Sequence, residues 1–129
     1  MDIEKLKRVR LEQDGLSKTL GMDFISTPEP DTCMARMKVG RHNRQVFGFL
    51  SGGATLALAE NLAGIGSMAL SPGKICLGIN VTGNHMKAVL EGDTVTAYGR
   101  CIHKGRTLHL WHICLLYTSD AADDRISVD

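Results

Sequence analysis

Glu60 is the single charged residue between Arg44 and Lys74 in this sequence of 129 residues, and its neighbours are mostly apolar. An unpaired carboxylate is costly to bury unless it is hydrogen-bonded, paired or protonated, and catalytic sites tune carboxyl pKa values in such surroundings. The isolation of Glu60 therefore indicates a candidate catalytic group. The alternative is a position on the exposed strip of a helix, or a cap on a neighbouring element.

A second candidate is the motif Ser51-Gly52-Gly53. It lies where a helix is predicted to begin, and the first N–H groups of a helix have no intrahelical acceptor. A glycine at Gly52 would let a substrate carbonyl approach a bare N–H group, which can stabilise the oxyanion formed during acyl transfer. The alternative is plain helix capping with close helix-sheet packing.

The spacing of these two candidates has a geometric consequence. Gly52 and Glu60 are eight residues apart, so on one helix they lie about 12 Å apart along the axis. That distance is too long for both groups to act on one carbonyl. If both are catalytic, a homodimer with two antiparallel helices side by side would bring Gly52 of one chain near Glu60 of the other.

The elements that would position these residues follow from the apolar patterns. An Ala- and Leu-rich stretch from Ser51 to Leu70 predicts a central helix, apolar on nearly all sides and therefore wrapped by other elements. Alternation of apolar and polar residues predicts four strands. Apolar residues at helical spacing near the N-terminus predict an amphipathic helix over 3–20. The predicted strands cover 33–40, 74–83, 93–105 and 106–118, and a shortened final strand is expected in the tail. One long helix and an antiparallel meander predict an α+β fold in a single domain over 1–129.

Composition excludes several classes of function. The hydrophobic fraction of 43% is that of a folded globular chain, and a formal charge of +1 provides no basic field for nucleic acid. Four scattered cysteines form no CxxC pair, and the histidines have no metal-ligand spacing, so neither a disulfide framework nor a metal site is expected. The N-terminus lacks a signal-peptide pattern, and the most apolar stretch is interrupted by polar residues. We expect a cytoplasmic protein without a membrane span.

The helix motif QVFGFLSGGATLALAENLAG resembles the signature of hotdog-fold acyl-CoA thioesterases, Gln-x-x-Gly-x-x-His-Gly-Gly followed by Ala-Glu. The segments GINVTGNHMKAVLEGDTV and HKGRTLHLWHI are similar to that family in order and spacing, and the resemblance covers roughly residues 15 to 117. Because the helix carries a glutamate, the chain resembles the branch of the family that contains 4-hydroxybenzoyl-CoA and 1,4-dihydroxy-2-naphthoyl-CoA thioesterases. The resemblance implies a long central helix wrapped by a curved antiparallel sheet.

The resemblance also implies roles for particular residues. Glu60 would be the nucleophile or general base, Gly52 would donate its N–H to the thioester oxygen, and Gln45 would help to position the carbonyl or the water. His85 and Lys87 match the family's NHxR/K segment, which implies contacts with the coenzyme A moiety. An exposed strand end is the alternative for that pair.

The resemblance also implies that Ser51, Gly53 and Gly64 contact the substrate. Two of these positions, Ser51 and Gly64, depart from the family pattern. Ser51 stands where the family usually has histidine, and Gly64 stands where it usually has Ser or Thr. Both departures leave Glu60 and Gly52 in place. They affect the expected turnover rate and acyl preference more than the fold.

The resulting hypothesis is hydrolysis of an acyl-CoA thioester by a homodimer or a tetramer, with coenzyme A as part of the substrate and no other cofactor. The main alternative is a hotdog protein that binds acyl-CoA or acyl carrier protein without hydrolysing it. A hotdog dehydratase is a weaker option, because no clear pair of a histidine and a carboxylate is present for elimination and hydration.

Overall fold

A computed structural model describes residues 1–11, 13–85, 87–118 and 123–128 of the chain. Three α-helices, one π-helical turn over Lys7–Leu11 and five β-strands make up the regular structure of these residues. In chain order, the helices and strands are α1 (Glu4–Leu6), α2 (Leu16–Leu20), β1 (Met22–Ile25), β2 (Thr32–Lys38), α3 (Gly52–Leu70), β3 (Thr94–Lys104), β4 (His109–Thr118) and β5 (Asp123–Val128).

The five strands form one antiparallel sheet in the order β1-β2-β3-β4-β5, so each strand pairs with its neighbours in the sequence. Ala35 of β2 lies opposite Ala97 of β3, which lies opposite Leu115 of β4. This row of apolar side chains faces α3. The predicted α+β fold and the strands predicted over 33–40, 93–105 and 106–118 are confirmed, and the short final strand pairs with β4.

Helix α3 lies across one face of the sheet and packs against β2, β3 and β4. Ser51 has extended backbone angles and precedes the helix, as predicted. The buried residues of α3 form one stripe, which consists of Ala54, Thr55, Leu58, Ala59, Leu62, Ile65, Gly66 and Ser67. The expectation that α3 is wrapped on most sides is confirmed, because only Gly52, Gly53 and Glu60 of this helix are exposed in the single chain.

The core between α3 and the sheet contains fully buried side chains such as Leu58, Leu62 and Phe24. Burying one such side chain stabilises the fold by about 2 kcal/mol. Cys33 also lies in this core, where burial raises the pKa of its thiol to about 12. That thiol stays protonated near neutral pH and is no nucleophile, and the four cysteines form no disulfide with one another.

Two predictions of secondary structure are wrong. The N-terminal helix predicted over 3–20 is broken into α1, the π-helical turn and α2, and strand β1, which was not predicted, follows Gly21. The segment 74–83 forms no strand. A strand needs a neighbour with unpaired backbone groups. Within the described chain, 74–83 forms no ladder with either edge strand of the sheet, β1 or β5, and its Gly78 lies against Glu60 of α3 instead.

Candidate functional site

The start of helix α3 presents unpaired backbone donors at the surface. Gly52 is the first helical residue and is exposed, and the first intrahelical bond is donated by the N–H of Thr55 to the carbonyl of Ser51. Ser51 makes no side-chain capping hydrogen bond. The N–H groups of the first turn, including those of Gly52 and Gly53, are therefore oriented to donate to a ligand oxygen.

Three other predicted residues surround this helix start. A Cβ atom placed on Gly52 would lie 3.3 Å from Nε2 of His85, so the imidazole ring lies directly against the glycine. Oε1 of Gln45 accepts a hydrogen bond from the N–H of Phe47, which leaves the side-chain NH₂ group of Gln45 as the donor for a ligand. Gln45, Gly52, His85 and Lys87 line one cavity of about 340 Å³.

Lys87 lines the same cavity. Its Nζ is 5.2 Å from the centre of the Tyr117 ring, within the range of a cation–π contact. The side chains of His85 and Lys87 are both exposed. A cation and an imidazole at the rim of the cavity are suited to phosphate oxygens.

Glu60 lies in the middle of α3 and is exposed in the single chain, so the simple expectation of a buried carboxylate is wrong here. It lines a second cavity of about 490 Å³, between α3, the segment 74–82 and the start of β4. The backbone of Gly78 lies against the carboxylate, because a Cβ atom on Gly78 would be 2.8 Å from Oε1 of Glu60. The sequence did not reveal this contact, since it depends on the path of a segment without regular structure.

Gly64 follows Glu60 by one helical turn and lines the same cavity. A Cβ atom on Gly64 would meet no heavy atom within 4 Å. The cavity wall beside Glu60 therefore has room for a larger side chain at this position.

The predicted residues thus separate into two groups within one chain. Gln45, Gly52, His85 and Lys87 share one cavity, whereas Glu60 and Gly64 share the other. The eight-residue spacing along α3 fixes this separation at about 12 Å along the axis. A single chain therefore presents two incomplete parts of the predicted site.

A polar cluster in the cavity of Glu60 was not predicted from the sequence. Oγ of Ser67 lies 2.8 Å from Nε1 of Trp111 and 2.8 Å from Nδ1 of His109. The alternation of His109 and Trp111 on β4, together with a serine two turns after Glu60, was the available signal. It could not be interpreted before the face of β4 that packs on α3 was known.

Metal binding and membrane insertion have no structural support within the described ranges. Those ranges hold no group of three or more His, Cys, Asp or Glu side chains arranged to bind a metal ion. They also include no helix that is long and apolar enough to cross a bilayer.

Comparison with known proteins adds to this geometry. The family model of the thioesterase superfamily matches residues 47–119. A 1,4-dihydroxy-2-naphthoyl-CoA hydrolase of Listeria monocytogenes is 33% identical over 100 residues, which is 77% of this chain and 80% of the relative. The proofreading thioesterase EntH of Cronobacter turicensis is 32% identical over 101 residues, 78% of this chain and 72% of the relative.

Solved structures resemble the whole chain. The crystal structure of thioesterase PA1618 from Pseudomonas aeruginosa, a variant form of that protein, superposes with a TM-score of 0.82 at 31% sequence identity. The match covers 99% of this chain and 90% of the other. Both cavities lie within the region that is shared.

Proposed function

Because this chain belongs to the thioesterase superfamily, of hotdog fold, we propose that it hydrolyses an acyl-CoA thioester to a free acid and coenzyme A. The activity of a thioester hydrolase follows from the family and its relatives. The choice of coenzyme A as the thiol is our proposal, supported by His85 and Lys87 at the rim of the first cavity.

The observation that carries the proposal is the pairing of an exposed mid-helix carboxylate with unpaired N–H groups at the start of the same helix. In the reaction, the N–H of Gly52 would donate to the thioester oxygen and stabilise the negative charge that develops there. Glu60 would either remove a proton from the attacking water or attack the carbonyl carbon itself. In the first route the water oxygen bonds to the carbonyl carbon; in the second, Glu60 forms a mixed anhydride that water then hydrolyses. In both routes the C–S bond breaks, the thiolate of coenzyme A leaves and takes up a proton, and the free acid is released.

We propose that a complete site needs two copies of the chain. Antiparallel α3 helices from two protomers would place Glu60 of one chain beside Gly52 and Gln45 of the other, so a homodimer would hold two sites. The alternating residues Ile75, Leu77 and Ile79, next to Glu60 in space, are 75%, 83% and 80% exposed in the single chain. An apolar row of this kind is typical of a surface that a partner covers.

Subunit complementation tests this arrangement. One chain carries Glu60→Gln, and the other carries Gln45→Ala together with Gly52→Val, which fills the space beside the helix start. Each variant alone is expected to be nearly inactive in thiol release. After the two are unfolded and refolded together in equal amounts, half of the dimers are mixed and each has one intact site, so about a quarter of the unaltered activity is expected.

The control is each variant taken through the same refolding alone. A mixture that stays at the average of its two inactive parents would show that the site lies within one chain, and would overturn the two-chain proposal.

Gly64 offers a separate test of the carboxylate. Gly64→Ser would place a hydroxyl one turn from Glu60, where it can hold the water or the carboxylate, and we expect kcat to rise up to about tenfold. The matched variant Gly64→Ala adds the same Cβ atom without a hydroxyl and is expected to leave kcat near its starting value. Steady-state thiol release measures both. An equal effect of serine and alanine would exclude the hydroxyl as the cause.

A further inference from the structure

The cluster of Ser67, His109 and Trp111 lies in a cavity whose walls combine apolar side chains with polar ones such as Arg106 and Thr107. All three residues line the cavity that contains Glu60. Ser67 is only 7% exposed, and its hydroxyl is bracketed by the indole and imidazole rings. A buried hydroxyl with two ring nitrogens at 2.8 Å has a fixed orientation.

The tautomer of His109 follows from where the proton of the Ser67 hydroxyl is placed. The indole N–H of Trp111 can only donate, so it occupies one lone pair of the Ser67 oxygen. We assign the serine proton to the bond with Nδ1 of His109, which places the ring proton on Nε2. The chain of donation runs from Trp111 through Ser67 to His109 and leaves Nε2–H as its outer donor. Each bond in such a chain polarises the next one.

The cluster lies at a definite distance from Glu60. Ser67 follows Glu60 by seven residues, or about two helical turns, so both project from the same face of α3 about 10 Å apart along the axis. Ala63 and Gly64 line the wall between them and offer no polar side chain. An acyl group whose carbonyl lies beside Glu60 can therefore extend along a smooth wall towards the cluster.

We propose that Ser67, His109 and Trp111 determine specificity by selecting acyl groups that carry a hydrogen-bond acceptor at the end remote from the thioester. This inference rests on the proposed function, since Glu60 defines the thioester end. A hydrocarbon tail would remove water from Nε2–H of His109 and offer no acceptor in return. A site built around such a donor discriminates against analogues that leave it unpaired.

Ligand binding can test the proposal without turnover. Trp111 is the single tryptophan of the chain, so its fluorescence reports a ligand at the cluster. The Glu60→Gln protein is titrated with two matched pairs of para-substituted benzoyl-CoA esters: hydroxy against methyl, and cyano against ethynyl. The nitrile accepts a hydrogen bond but cannot donate one. In each pair, the ester with the acceptor is expected to bind about tenfold more tightly.

Variants of two histidines on β4 locate the effect. His109→Leu, introduced into the Glu60→Gln protein, is expected to reduce both preferences to near one. His112→Leu is the matched control, because His112 is exposed and lies on the opposite face of the same strand. It is expected to leave both preferences intact.

Any of three binding results would overturn the proposal: no preference in the parent protein, preferences that His109→Leu leaves unchanged, or a preference for hydroxy without one for cyano. The last result would mean that the site accepts a hydrogen bond from the ligand instead of donating one. Thiol release by the unaltered protein separates this inference from the proposed function. Hydrolysis of all four esters with equal kcat/KM would retain the function and reject the cluster, whereas selective binding without hydrolysis would retain the cluster and reject the function.

Discussion

Replacing Glu60 with glutamine is expected to lower kcat for thiol release by roughly 10²–10⁴-fold, the range by which positioned acid–base groups accelerate proton transfer. Glutamine keeps the size and nearly the shape of the side chain but can neither accept the proton of water nor attack a carbonyl. The affinity for the ester should change little. The measurement is thiol release from benzoyl, phenylacetyl and medium-to-long aliphatic CoA esters, and the preferred ester indicates the acyl class.

The control for this substitution is Glu4→Gln. Glu4 is also an exposed glutamate, but it lies in α1, outside both cavities of the proposed site. Its replacement should leave turnover unchanged. Full activity in the Glu60→Gln protein would exclude Glu60 from the mechanism. Absence of thiol release from the unaltered protein, with CoA esters still bound, would favour the protein that binds acyl-CoA without hydrolysing it.

The second large effect concerns stability and is expected for Gly66→Ala. A Cβ atom on Gly66 would lie 2.6 Å from Cζ2 of Trp111, closer still to Cη2, and 3.1 Å from Sγ of Cys33. The indole cannot retreat without lengthening its hydrogen bond to Ser67. Overpacking of this kind costs about 1–3 kcal/mol, and a weakened buried hydrogen bond adds about 1 kcal/mol. The better helix propensity of alanine offsets up to about 1 kcal/mol of that cost.

We therefore expect Gly66→Ala to lower the free energy of unfolding by about 1–3 kcal/mol, measured by urea denaturation followed through the fluorescence of Trp111. The same substitution two residues earlier is the control. Gly64→Ala meets no heavy atom within 4 Å and should raise the stability by up to about 1 kcal/mol through helix propensity. Two Gly→Ala changes in one helix should thus change the free energy of unfolding in opposite directions. A gain in stability at both positions would contradict the close packing of Trp111 on Gly66.

How far the sequence predicted this fold differs from element to element. Helix α3 and strands β2, β3 and β4 were predictable because their apolar periods are long and end at Ser, Pro or Gly. The segment 74–83 alternates equally well, but alternation does not say which strand has a free edge. The short strand Met22–Ile25 has too few residues for a clear period.

In the candidate site, too, some features could be predicted from the sequence and others could not. The separation of Gly52 from Glu60 could be calculated from the sequence, because the rise of a helix is fixed. The exposure of Glu60 could not, since it depends on what lies over α3. The cluster of Ser67, His109 and Trp111 joins residues more than 40 positions apart, and only the register of β4 against α3 brings them together.

The uninterrupted length of α3 has a consequence for how this site can change during evolution. Inserting or deleting one residue between Gly52 and Glu60 would turn the carboxylate by about 100° around the helix axis and shift it by about 1.5 Å. Such a change would point Glu60 away from its cavity and misalign it with the second chain of the proposed dimer. Insertions and deletions in the loops before Gly52 and after Leu70 leave this spacing unchanged. Within the helix, new substrate preferences must arise by single-residue replacement.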